Sequence, residues 1–127
     1  MDINKVTETI IGASIEVHKA LGPGLLESAY EECLCHELTL NHMQFFRQQK
    51  LPLVYKGIHL DCGYRIDLFV EECVVVELKT IEKLLSIHDA QLLTYMKLTD
   101  SRVGLLINFN VPVLRKGIRR KVLNHID

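Results

Sequence analysis

Asp67, Glu77 and Lys79 lie inside YRIDLFVEECVVVELKT, residues 64–80, a stretch so rich in Val, Ile, Leu and Phe that it reads as a buried strand pair. Two carboxylates brought together there would offer hard oxygen ligands suited to Mg²⁺ or Mn²⁺. An adjacent ammonium would suit an attacking water or a phosphate. Whether they meet depends on register, because side chains alternate across a strand and a slip of one residue reverses every face. A turn of Glu71 and Glu72 alone puts Ile66 opposite Glu77 and leaves Asp67 and Glu77 on opposite faces, mixing charge with core. A three-residue loop, Glu71-Glu72-Cys73, instead pairs Ile66 with Leu78, Leu68 with Val76 and Val70 with Val74 on an all-apolar face. The other face then pairs Asp67 with Glu77, Arg65 with Lys79 and Phe69 with Val75. This register is self-consistent, although its loop lacks the Gly or Asn favoured at a left-handed position; a bulge would serve the same parity. Facing carboxylates about 5 Å apart at Cβ are destabilising unless a cation sits between them. Lys79 and Arg65 could supply that charge on a wet surface, but Phe69 and Val75 on the same face argue against a fully wet one.

The surrounding elements must position these groups. Ile3, Val6, Ile10, Ala13, Val17 and Leu21 recur at helical spacing and form one apolar face, which stops at Gly22-Pro23-Gly24. Leu26, Tyr30, Cys33, Leu34 and Leu38 mark a second helix that fades near Asn41. Residues 49–60 read as strand, turn and strand around Lys56-Gly57, and the hairpin above adds two more strands. A helical pattern returns over residues 82–98, RVGLLINFN is a buried strand, and the basic tail reads as a short helix. The order αα, ββββ, α, β, α predicts an α+β (α/β sandwich) fold, a mixed, mostly antiparallel sheet flanked by helices, forming one domain over residues 1–127.

Helical spacing also groups the polar residues. Glu27 and Tyr30 share a face of the second helix, as a site pair or as a capping carboxylate with a core tyrosine. His88, Gln91 and Tyr95 form a stripe on the helix after Lys79, able to line the carboxylate face. His18 reads as structural.

The net charge of −1 does not advertise a polyanion partner, yet the charge is unevenly spread. Residues 1–37 hold seven of the 16 acids and two of the 15 bases, leaving nine acids and thirteen bases for the rest. The excess peaks at Arg115, Lys116, Arg119, Arg120 and Lys121, read either as a solvated face or as a phosphate-contacting surface. Four cysteines without a CxxC pair read as reduced thiols. No apolar run suggests a membrane span and the N-terminus has no leader pattern, so the expectation is a cytoplasmic protein with no membrane contact.

Asp67, nine intervening residues and then Glu77-Leu78-Lys79 resemble the active-site signature of the PD-(D/E)XK nuclease superfamily, with its restriction-endonuclease-like fold. Ile66 stands where the nominal signature has proline. Upstream, GLLESAY at residues 24–30 resembles the naming motif of the GxxExxY proteins, a small family of that type. Downstream, QLLTY at residues 91–95 is similar to the QxxxY helix of recombination-type and phage exonucleases in the same superfamily. The resemblance spans roughly residues 11–110. It implies a divalent-metal-dependent nuclease acting on nucleic acid, DNA before RNA, with Mg²⁺ or Mn²⁺ as cofactor. Asp67, Glu77 and the Leu78 carbonyl would hold the ion, Glu27 would complete the site through a water or a second ion, and Lys79 would orient or deprotonate the attacking water. Gln91 and Tyr95 would hold Lys79 or the scissile phosphate, and Arg115, Lys116, Arg119 and Arg120 would grip the nucleic-acid backbone. The competing expectation is a non-catalytic nucleic-acid- or protein-binding module that keeps the fold. A chain this small has little surface for gripping a duplex without a homodimer or a partner protein.

Overall fold

A computed structural model describes residues 2–123. Helix α1, Ile3–Leu21, is started by the Asp2 carboxylate accepting the Asn4 N–H and ended by Gly22 at φ +67°. Helix α2, Glu27–Leu40, follows after the GPG break. Five strands come next: β1 Phe45–Lys50, β2 Leu53–Tyr55, β3 Ile58–Leu60, β4 Arg65–Val70 and β5 Val74–Lys79. Helix α3, Ser86–Leu98, leads to β6, Val103–Asn108; a 3₁₀ turn at Leu114–Gly117 then leads into β7, Ile118–Val122.

The main sheet has the order β1-β4-β5-β6-β7, antiparallel except for the β5–β6 pair, which α3 connects as a crossover. Helices α1 and α2 bury Val6, Ile10, Leu34 and Leu38 against Leu68, Val76, Leu78 and Ile107. On the opposite face α3 packs Leu92 and Met96 onto Phe69, Val75 and Leu106. Strand β6 is buried along its whole length because both faces are covered, which is why it reads as a continuous apolar run. A Cβ on Gly104 would lie 2.7 Å from the Met96 sulfur, so this glycine sets how closely α3 approaches the sheet. Strands β2 and β3 form a separate hairpin over Lys56-Gly57, both at positive φ. The α+β sandwich of the sequence reading is therefore the observed architecture.

Three boundaries differ from the sequence reading. Residues 45–50 form strand β1, which was not anticipated: FFRQQK is an edge strand with mostly exposed side chains and no clean alternation. Helix α3 begins at Ser86 rather than at residue 82, because the Asn108 amide binds both the N–H and C=O of Ile81, holding the chain in a bend, and His88 Nδ1 accepts the Leu85 N–H at the helix start. The basic tail is helical only in its first turn, the 3₁₀ turn Leu114–Gly117, and continues as strand β7 rather than as a helix. The outer edge of buried β6 needs hydrogen-bond partners, and a charged segment is well suited to serve as an edge strand.

Candidate active site

The β4–β5 hairpin turns through three residues, and its ladder pairs Val70 with Val74, Phe69 with Val75 and Leu68 with Val76. Glu71 and Glu72 both take left-handed φ values, +53° and +52°. The Glu71 carboxylate offsets that strain by accepting the Gln44 N–H at 2.7 Å.

Beyond Leu68 the ladder stops. Asp67 Oδ2 accepts the Leu78 N–H at 2.8 Å, so a side-chain carboxylate stands where a backbone carbonyl would continue the pairing. On the other flank Asp67 lies opposite Gln48, the one residue skipped between the β1–β4 pairs Arg47–Leu68 and Gln49–Ile66. Gln48 has φ +53°, and its Nε2 donates to Asp67 Oδ1 at 3.1 Å and to Glu31 Oε1 at 2.6 Å. The alternation of β4 breaks at the same point: Leu68 belongs to the α1–α2 core and Ile66 to the α3 core. The anticipated ladder pairs Ile66–Leu78, Asp67–Glu77 and Arg65–Lys79 are corrected accordingly, because the Asp67 side chain intercepts the hydrogen bond they require.

Glu77 nevertheless meets Asp67. It is 5 % exposed, and its Oε1 has no hydrogen-bond partner. Burial pushes the Glu77 carboxyl up to about 10, reinforced by its hydrogen bond with Asp67 and by the Asp67 charge, while Lys79 opposes the rise. Without a cation, the site therefore favours the protonated form of Glu77. Lys79, half-buried two residues further on, pairs with Asn108 of β6. The Asn108 amide clamps Ile81 and fixes the chain just beyond Lys79.

Glu27 opens α2 and is half-buried. Its carboxyl is raised first by burial and then by the Asp67 charge, with Lys79 opposing, which puts it within electrostatic reach of both. Tyr30, from the same motif, is fully buried and structural. It stacks on Phe109 with centroids 4.5 Å apart, donates to the Gly22 carbonyl at 2.5 Å and accepts the Leu25 N–H at 3.1 Å. That fastens the glycine loop and so aims Glu27. From α3, Gln91 Nε2 donates to the Tyr95 hydroxyl at 3.2 Å, and both line one cavity with Lys79 and His88. Burial and then the Glu77 charge raise the Tyr95 hydroxyl. His18 bonds the Val111 carbonyl at 2.8 Å, far from these groups in role.

Among the described residues, no three His, Cys, Asp or Glu side chains converge as a ready ligand cluster. An ion would therefore draw on the Asp67 and Glu77 carboxylates, a backbone carbonyl and water. The buried, unpartnered Glu77 Oε1 beside a second carboxylate fits a hard divalent cation, which would replace the Glu77 proton.

Strand alternation scatters the basic residues. Arg119 donates to Asp89 Oδ2 at 2.6 Å and to the Leu84 carbonyl, on the α3 side, and Lys121 lies 3.5 Å from Asp89. Arg120 reaches Asn4 on the α1 side, while Arg115 and Lys116 are exposed on the 3₁₀ turn. These cations do not form one patch. Sequence reasoning missed Gln48, its support from Glu31, the Arg47 that pairs with Glu31 at 2.7 Å, and Asn108. Only a recognised β1 would have flagged Gln48, as the residue facing Asp67.

The chain has no significant match among curated proteins or solved structures. The family model of the PD-(D/E)XK nuclease superfamily does match it, over residues 4–121. That span takes in Glu27, Asp67, Glu77 and Lys79 and nearly every element that positions them, so the chain belongs to the PD-(D/E)XK nuclease superfamily, whose members are usually nucleases and typically use divalent metal ions.

Proposed function

We propose that this protein is a divalent-metal-dependent nuclease that hydrolyses phosphodiester bonds, in DNA before RNA, and that it belongs to the GxxExxY group through Gly24, Glu27 and Tyr30. The observation that carries the reading is the Asp67–Glu77 carboxylate pair, Glu77 buried with its Oε1 unpartnered, Asp67 half-buried, and Lys79 on β5 two residues beyond Glu77. A buried Glu77 carboxyl beside a second acid costs stability, which a purely structural role would not repay. Asp67, Glu77 and the Leu78 carbonyl would hold Mg²⁺ or Mn²⁺, which would supply Lewis acidity and lower the pKa of the attacking water.

The remaining roles fall to the protein. Lys79 orients the attacking water and offsets negative charge as it develops on phosphorus. Gln48 and the Leu78 N–H bind one oxygen each of Asp67, so its carboxylate is held before any ligand arrives. Glu27, held half-buried by the Tyr30-fastened loop, adds a third carboxyl at the edge of the site. Gln91 and Tyr95 hold Lys79 or the scissile phosphate from the α3 side. Exposed Arg115, Lys116 and Arg120 contact the nucleic-acid backbone; Arg119, engaged with Asp89, serves that role less directly.

The test is cleavage of labelled single-stranded and duplex DNA in Mg²⁺ or Mn²⁺. Cutting by the wild type should depend on the divalent ion, vanish in Glu77→Ala with loss of the ion, and vanish in Lys79→Ala with the ion still bound. Wild type that binds no divalent ion and cuts no nucleic acid would leave the non-catalytic binding module as the better reading.

A further inference from the structure

The cavity beside Lys79 has a volume of about 570 Å³, and its walls are of two kinds. Lys79 and Tyr95, the latter bonded by Gln91, lie within electrostatic reach of the acidic pair, whereas Leu53, Tyr64 and Ile87 form an apolar, aromatic wall between the β2–β3 hairpin and the start of α3. Tyr64 is 43 % exposed and stands edge-on to Tyr95, with ring centroids 6.3 Å apart; Ile87 is 66 % exposed. Neither ring nor isoleucine gains anything from a phosphate. Both would gain from the flat face of an unstacked base.

The charge around this wall has the matching sign. Lys50, Lys56 and Arg65 are exposed along residues 50–65, against Asp61 as the only acid in that segment. Lys56 also lies 5.5 Å from the ring centroid of Tyr55. Basic side chains interleaved with exposed tyrosines bind single strands, because the cations follow the backbone while any base can stack on an aromatic ring. A duplex keeps its bases paired and stacked, and offers Tyr64 no free face.

We propose that this cleft is a single-strand subsite: an unpaired nucleotide seats its base against Tyr64 and Ile87, which places the adjoining phosphate at Lys79 and the carboxylate pair. The location of the phosphate rests on the nuclease reading; the base-binding wall is tested separately from it.

The experiment is fluorescence anisotropy of a labelled oligothymidylate and of a duplex of equal length, in chelator so that no cutting occurs, with circular dichroism to confirm folding of each variant. Wild type should bind the single strand more tightly than the duplex. Tyr64→Ala should weaken single-strand binding roughly ten- to hundred-fold, as expected for one lost stacking contact, with little change for duplex. Tyr64→Phe, which keeps the ring, should restore it, and Ile87→Ala should weaken it less. Equal affinity for both forms with no effect of Tyr64→Ala would overturn the proposal. So would self-association of the wild type, seen by sedimentation, that Tyr64→Ala or Ile87→Ala abolishes while oligonucleotide binding is unchanged; the wall would then be a dimer interface. Ring-dependent binding without any cleavage in Mg²⁺ or Mn²⁺ would sink the nuclease reading alone, and cleavage indifferent to Tyr64 would sink the subsite alone.

Discussion

Replacing Glu77 by Gln should stabilise the metal-free protein, an uncommon outcome for a change at a buried position in the candidate site. The Glu77 carboxyl is raised from its ordinary 4.5 to about 10, chiefly by burial and then by Asp67. An acid raised in the folded state contributes stability that is fully present below the unfolded value. It is lost progressively as pH climbs from there towards the folded one. At pH 7, which is 2.5 pH units above 4.5, holding that proton costs about 3 kcal/mol at roughly 1.4 kcal/mol per unit. A glutamine amide donates to Asp67 as the protonated acid does, but needs no proton. Glu77→Gln should therefore unfold at a higher temperature at pH 7, by roughly 10 °C for a chain of this size. Thermal denaturation in chelator from roughly pH 5 to pH 9 should show the gap between variant and wild type widening with pH. Glu27, whose carboxyl is raised too, is common to both proteins and drops out of the comparison. A gap that stays constant over that range would refute the reasoning, because it would mean that Glu77 does not retain its proton in the folded chain.

Other consequences follow from the same geometry. Gln48→Ala frees one Asp67 oxygen and should lower divalent-ion affinity or cleavage by about 10- to 100-fold, measured by calorimetry and a cutting assay, without unfolding the protein. Gly104→Ala forces a Cβ against Met96 and Leu92 and should cost about 1–3 kcal/mol in denaturant unfolding. It should also lower activity, as α3, which carries Gln91 and Tyr95, moves off the sheet. Arg119→Ala should lower stability by about 1 kcal/mol in chemical denaturation, since it strips Asp89 of its 2.6 Å partner. If it instead weakened only DNA binding, the tail would be the uniform backbone grip that its composition suggests.

Much of the fold is legible because the apolar periods are strong where burial is strong. The spacing of Val6, Ile10, Ala13 and Val17 marks the buried face of α1, and the Val70–Val74 register follows from matching apolar faces across the hairpin. The edges are where sequence reasoning fails. Strands β1 and β7 are polar or basic, and their pairing is dictated by the unfilled hydrogen bonds of β4 and β6 rather than by their own side chains. The candidate site divides similarly. That Asp67, Glu77 and Lys79 share one hairpin is readable from the sequence, as is the one-face spacing of Gln91 and Tyr95. The direct Asp67–Glu77 pairing that parity predicts does not form. The break at Asp67 is not readable, because it depends on Gln48 adopting a left-handed conformation that a glutamine has no intrinsic reason to favour. The division of labour in GLLESAY, with Tyr30 fixing the loop and Glu27 facing Asp67, also emerges only once Phe109 is seen beneath the tyrosine.

The most direct test of the central claim is calorimetric titration of Mn²⁺ into the wild type and Asp67→Asn at neutral pH. The wild type should bind the ion and release a proton as Glu77 ionises, so that the observed heat varies with the ionisation enthalpy of the buffer, while Asp67→Asn should take up none. Equal uptake by the two proteins, or none by either, would contradict the assignment of the Asp67–Glu77 pair as the metal site.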